Sequence, residues 1–260
     1  MKRIIPILLI IVCVATLYFG QANWNKKTAI STTTAAVKEG QPNVHDAHPS
    51  VWETLLPNTK NWPVESTNTF QASIQKEKPF KIVFLGSDSL GNGKDSWPEI
   101  VTTALKETFH DYINVNTLQY DLTSSEYVKQ NLQSELIKEQ PDLIIFEPFT
   151  LNDNGVVKIE DSLDNLSTII QDVQADNPKA VFILQPPHPL YNATFYPKQV
   201  ELLKDYAKDH GIVYLDHWEV WPDSESIEIK EYLVEDQTQP SVKGHELWAG
   251  YLVDYLVGGD

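Results

Sequence analysis

The stretch KIVFLGSDSLGNGKDSW, residues 81–97, carries the reading of the fold. Ile82 to Leu85 are apolar and partly β-branched, the pattern of a short buried strand. Gly86-Ser87-Asp88-Ser89-Leu90-Gly91 follows as a turn, and a helix is expected to begin near Ser96. A hydroxyl at such a strand-to-helix turn can lie against backbone N–H groups that stabilise a developing oxyanion. It can equally shape and cap the turn, which Ser, Asp and Gly commonly do. On these residues alone Ser89 is open to both readings.

Downstream the strand-then-helix alternation repeats. Strands are expected at Ile82 to Leu85, Ile113 to Leu118, Leu143 to Phe146, Ala180 to Leu184 and Ile212 to Leu215. Helices are expected at Trp97 to His110, Ser125 to Lys138, Leu163 to Ala175, Pro197 to His210 and Val242 to Leu256. Strands alternating with helices imply an α/β fold, a parallel sheet covered on both faces. In open sheets of this kind the ligand crevice lies beyond the carboxyl ends of the strands. That directs attention to Ser87 to Gly93, Tyr120 to Ser124, Glu147 to Asn154, Gln185 to His188, and Asp216 to His217.

A serine hydroxyl is a weak nucleophile until a neighbouring base takes its proton. His188, in Gln185-Pro186-Pro187-His188-Pro189, and His217, in Leu215-Asp216-His217-Trp218, follow strands at the ligand end and are the candidate bases. Each is also readable as a loop histidine held by local hydrogen bonds. His245 belongs on the first turn of the last helix in a packing role. His45, His48, His110 and His210 fall in a polar tether or at helix ends. Asp216, His217 and Glu219 have no second His or Cys at ligand spacing, so no metal is expected. Neither a phosphate-cradling glycine loop nor a dinucleotide-binding turn is present, and no cofactor is expected. Of the seven tryptophans, Trp97, Trp218, Trp221 and Trp248 read as packing residues, with Trp218 and Trp221 close enough to the crevice to serve a carbohydrate surface.

Two further blocks follow the third strand and precede the last helix: Glu147-Pro148-Phe149-Thr150-Leu151-Asn152-Asp153, and Asp236-Gln237-Thr238-Gln239-Pro240 running on to Gly244-His245-Glu246-Leu247-Trp248. With these the chain resembles the SGNH, or GDSL-type, hydrolases from Lys81 to Leu256. The resemblance implies a three-layer α/β/α sandwich around a five-stranded parallel sheet, the flavodoxin-like SGNH-hydrolase fold. It implies Ser89 as nucleophile, Asn152 with the Ser89 backbone N–H as oxyanion donors, Asp236 as the acid of the last block, and Asp88 and Gly91 as parts of the nucleophile block. The sequence departs from the family in three places. Ser87 replaces a glycine, no glycine lies between Gly93 and Gly155 to supply the second block, and Gln239 stands where the family has its histidine, which leaves it, with Asp88 and Gly91, as an oxyanion or binding candidate.

The chain has 260 residues, with thirty-six acidic against twenty basic side chains and a formal net charge of -16. That charge repels phosphate backbones, so no nucleic acid partner is expected. Residues 1–22 hold Lys2 and Arg3 ahead of an uncharged run from Ile4 to Gly20, short for a membrane span and long for a signal-peptide core. This reads as a signal anchor, or as a signal peptide cleaved near Ala22. The expected location is therefore the cell membrane, with an extracytoplasmic domain on a single N-terminal anchor, or secretion after cleavage. The only cysteine, Cys13, lies in that run, so the rest of the chain has no disulfide or thiol chemistry, and Val12 before it is a poor match for lipid modification. Residues 23–50 read as a flexible tether, 51–80 as an irregular arm, and 81–260 as the hydrolase-like domain.

Two functions fit. One is an extracytoplasmic serine esterase or deacylase that removes small acyl groups, acting on an acylated small molecule or an envelope glycan. The other is a binding module that keeps the fold after losing its acid-base machinery.

Overall fold

A computed structural model describes residues 51–258. The apolar N-terminal run and tether, with Cys13, His45 and His48, lie outside the described residues. Among the described residues no helix is long and apolar enough to cross a membrane.

Nine α-helices and five strands are described: α1 (Val51–Leu55), α2 (Val64–Gln75), β1 (Phe80–Gly86), α3 (Trp97–Phe109), β2 (Ile113–Gln119), α4 (Ser124–Lys129), α5 (Gln133–Glu139), β3 (Leu143–Phe146), α6 (Thr150–Asp153), α7 (Ile159–Asp176), β4 (Val181–Leu184), α8 (Tyr196–Asp209), β5 (Val213–Tyr214) and α9 (Val242–Leu256). The strands form one sheet in the order β2-β1-β3-β4-β5, and every pairing is parallel. Alternation along β1 explains the layers. Ile82 and Phe84 face one core with α3 and α9 through Trp97, Leu105, Trp248 and Leu252. Val83 and Leu85 face the other, with α4, α5, α7 and α8 through Tyr127, Leu136, Leu166 and Leu203. Because β1, β3 and β4 are covered on both faces, they read as nearly continuous apolar runs.

Two expectations change. The single helix expected from Ser125 to Lys138 is two, interrupted at Asn131, which takes a positive φ of 55°. Asparagine tolerates that left-handed backbone better than most side chains. The arm at 51–80 is also not irregular, since twelve of its residues form α2. Pro63 precedes that helix with φ -52°, and Trp62 anchors it by donating Nε1–H to the Leu256 carbonyl at 2.7 Å. The Trp62 ring lies 5.4 to 5.6 Å from those of Phe70, Phe80 and Phe109. Trp62, Phe70 and Phe80, aromatic residues of the arm, thus belong to the core.

Phe70 is fully buried in this cluster. Phe70→Ala should therefore lower unfolding stability by about 3 to 5 kcal/mol in urea titrations. A loss below about 1 kcal/mol would mean that the arm is an appendage.

Candidate active site

The turn after β1 answers the question raised by its sequence. Ser87 leaves the strand extended and caps a 3-10 turn at Asp88–Leu90, its Oγ accepting from Ser89 N–H at 3.2 Å. Leu90 N–H and Gly91 N–H close the turn on the Ser87 and Asp88 carbonyls. The capping role falls on Ser87, which leaves the Ser89 hydroxyl to bond elsewhere. It lies 3.1 Å from Nδ1 of His188. Ser89 is 1% exposed and His188 0%, so the pair is covered by protein.

The other ring nitrogen, Nε2, lies 3.0 Å from the backbone carbonyl of Gln237. A carbonyl only accepts, so Nε2 carries the proton and Nδ1 presents its lone pair to the Ser89 O–H. Burial, opposed by the Gln237 bond, pushes the His188 imidazole down to about 4, so the ring is neutral at neutral pH. Pro187 and Pro189 restrict the backbone on either side of His188, and Tyr196 Oη donates to its carbonyl at 3.0 Å.

Gln237 was not among the candidate residues for this position. It sits in a hairpin closed by a bridge between Leu233 and Pro240 and takes a left-handed φ of 60°. Its N–H donates to the Val234 carbonyl, and its side-chain Oε1 accepts from Tyr191 N–H at 2.7 Å. These bonds aim its carbonyl at His188. A main-chain contributor leaves no side-chain signature, so residue types could not have revealed it.

Three expectations do not match the geometry. Asp236 is exposed and folds onto its own turn, with Oδ1 accepting from Thr238 N–H and Oγ1–H at 3.1 and 2.7 Å. It turns to its neighbour and not to an imidazole. His217 is buried with both nitrogens committed. Its Nε2–H donates to the Pro186 carbonyl at 2.8 Å, and its Nδ1 accepts from Trp221 Nε1–H at 3.0 Å. Its ring stacks on Trp248 at 4.0 Å, and burial pushes it down to about 3. It is a structural histidine with no lone pair left for Ser89. Gln239 contributes its carbonyl to Val234 N–H within the hairpin and makes no bond to Ser89.

Of the remaining candidates, Asp88 and Gly91 belong to the turn itself, and Asn152 follows β3. Asp88 Oδ1 accepts from Gln119 Nε2–H at 2.9 Å, which ties the turn to the end of β2. Gly91, at φ 74°, lies so close to His245 that a Cβ there would meet its ring at 2.5 Å. Asn152, on α6, points Nδ2–H at Asp121 Oδ1 at 3.4 Å, a long bond that an incoming acceptor can displace. Asp216 pairs with Lys204 at 2.6 Å, and no metal-binding group of His, Cys, Asp and Glu occurs among the described residues.

A parallel sheet in this strand order, layered by helices and carrying a serine turn at the end of its first strand, defines the flavodoxin-like α/β/α architecture of SGNH hydrolases. Solved structures share it. A GDSL-like lipase from Bacteroides thetaiotaomicron is 15% identical with a TM-score of 0.52, over 77% of this chain and 98% of that one. A carbohydrate esterase family 3 protein from Talaromyces cellulolyticus is 12% identical with a TM-score of 0.58, over 69% and 97%. A catalytic mutant of an acetylxylan esterase from Geobacillus stearothermophilus is 15% identical with a TM-score of 0.55, over 68% and 94%. No curated protein matches the sequence. The profile of the GDSL-like lipase/acylhydrolase family matches residues 84–247, more than half of the chain, and the chain belongs to that family.

The bonds around His217 set its expected behaviour. His217→Ala strands the Trp221 donor and the Pro186 acceptor and should cost about 3 kcal/mol of unfolding stability. The folded fraction should keep the reactivity of Ser89 towards a fluorophosphonate. Loss of labelling in folded protein would return His217 to the reacting groups.

Proposed function

We propose that the protein is an extracytoplasmic serine esterase or deacylase, with Ser89 as nucleophile, His188 as base, and the Gln237 carbonyl as the group that orients the base. The observation that carries this reading is the 3.1 Å contact between Ser89 Oγ and an imidazole nitrogen held in its unprotonated form. That distance lies within the reach required of a general base. The histidine missing at Gln239 is replaced by one from the loop after β4.

In the proposed reaction Ser89 Oγ attacks the ester carbonyl carbon while its proton passes to Nδ1 of His188. The carbonyl oxygen takes the negative charge and is met by Asn152 Nδ2–H and Ser89 N–H, which release Asp121 and Ser87. The imidazolium then gives its proton to the departing alkoxide, and an acyl-Ser89 remains. Water attacks that acyl group and passes its proton to Nδ1, and collapse of the second tetrahedral species returns the Ser89 hydroxyl and releases the acid. A neutral carbonyl at Nε2 stabilises the imidazolium less than a carboxylate does, so His188 is a weak base and turnover is modest.

The cover over Ser89 and His188 favours a small acyl group such as acetate. An acylated envelope polysaccharide is the substrate class we favour. The charged-then-apolar N-terminus would hold the domain at a membrane exterior, and two of the proteins that share its fold are named for carbohydrate esters. The burial of the same pair, with both oxyanion donors engaged, is what favours the alternative of a glycan- or protein-binding module.

Hydrolysis of a short-chain aryl acetate, together with fluorophosphonate labelling, tests the reading. Ser89→Ala and His188→Ala should each lower kcat/KM by about 10³-fold or more, while Asp236→Ala should stay within about threefold because its carboxylate is turned to Thr238. Equal background rates for wild type and Ser89→Ala would leave the binding module. The acid limb gives a second test. The base works only while neutral, so kcat/KM should hold as pH falls through 6.5 and drop only through about 4. A midpoint near 6.5 would mean that His188 is not the base.

A further inference from the structure

The first residue past β3, Glu147, is fully buried, and the reaction above does not use it. Its N–H donates to the Leu85 carbonyl, which keeps its backbone in register beside β1. Its side chain reaches across the end of β1 to Ser87. Oε2 accepts from Ser87 N–H at 2.7 Å and from Ser87 Oγ–H at 2.6 Å. The crossing depends on Gly86, where a Cβ would lie 2.8 Å from that same oxygen. Ser87 Oγ has one proton, and with that proton committed to Glu147 only its lone pairs face Ser89 N–H, which they accept at 3.2 Å.

We propose that Glu147 is a positioning residue for the nucleophile, acting through Ser87. The carboxyl holds Ser87 by two short bonds, and Ser87 in turn fixes the turn that presents Ser89 Oγ to His188. The three bonds differ in length, and the longest is the one that must open. When an oxyanion forms, Ser89 N–H can leave Ser87 Oγ for it while the Glu147 to Ser87 bonds stay made. The serine that replaces the family glycine at position 87 is thus the link between the buried carboxyl and the nucleophile.

The charge state agrees with this role. Burial, against the opposing bonds from Ser87, pushes the Glu147 carboxyl up to about 8, so it is mainly neutral at neutral pH. A glutamine there would present the same accepting oxygen to Ser87. A leucine would fill the space and accept nothing.

The kinetic part of the test rests on the esterase reading, and the exchange part does not. With aryl acetate hydrolysis normalised to folded protein, Ser87→Ala and Glu147→Leu should each lower kcat by about 10- to 50-fold with KM within about twofold, since small misplacements of a reacting group are costly. The double variant should be no slower than the slower single variant, because both act on one chain of bonds. Glu147→Gln should restore kcat to within about fivefold of wild type. Amide hydrogen exchange at Ser89 should accelerate at least about tenfold in Ser87→Ala and in Glu147→Leu, and not in Glu147→Gln. Wild-type kcat and exchange in Ser87→Ala, or additive losses in the double variant, would overturn the proposal. If wild type hydrolyses nothing, the esterase reading fails, and the exchange pattern alone then supports or overturns the positioning role.

Discussion

A carbonyl oxygen accepts hydrogen bonds and never donates one, and the site depends on this asymmetry at Gln237. It fixes the proton of His188 on Nε2 and leaves Nδ1 as the only unprotonated nitrogen of the ring. Nδ1 is the atom beside Ser89. A carboxylate would hold the same tautomer and add charge stabilisation, whereas a carbonyl supplies direction with only a dipole. The ring is accordingly a buried imidazole that gains little from its partner, which is why its proton affinity sits well below that of a free histidine.

Burial works on two groups here in opposite directions. It holds His188 neutral by disfavouring the cation and holds Glu147 neutral by disfavouring the anion. A low-dielectric pocket with one ionised member would carry an uncompensated charge next to the nucleophile. With both neutral, the chain of bonds from Glu147 through Ser87 to the Ser89 turn, and from Ser89 Oγ through His188 to Gln237, is built from dipoles alone. His217 follows the same rule, since its two bonds to Pro186 and Trp221 satisfy it as a neutral ring inside the core.

The strand-helix alternation was legible because β1, β3 and β4 are buried on both faces and must be apolar along their length. The turn at Ser89 was legible because Ser, Asp and Gly in that order after a strand suit few other structures. Helix α2 was less so, because its apolar residues are sparse and its docking is decided by Trp62 and Phe70 meeting Phe80 and Phe109, contacts remote in sequence. In the last block the order Asp236 to Gln239 suggested side-chain chemistry, but the hairpin offers its backbone. Glu147 was visible as a residue in a loop of interest, yet its partner Ser87 lies sixty positions away. Only the pairing of β1 with β3 brings the two together.

A site oriented by main chain is constrained differently from one oriented by side chains. Where a carboxylate orients an imidazole, the residue type at one position decides the outcome. At Gln237 the φ of 60° decides it, and several bonds share in holding that angle. The Leu233 to Pro240 bridge closes the hairpin, Gln237 N–H ties the tip to Val234, and Gln237 Oε1 ties it to Tyr191. Tyr191 lies three residues beyond His188, so the loop that carries the imidazole also anchors the segment that orients it. Each half of the arrangement fixes the other, which allows Gln239 to occupy the usual place of a histidine without disturbing the geometry at Ser89.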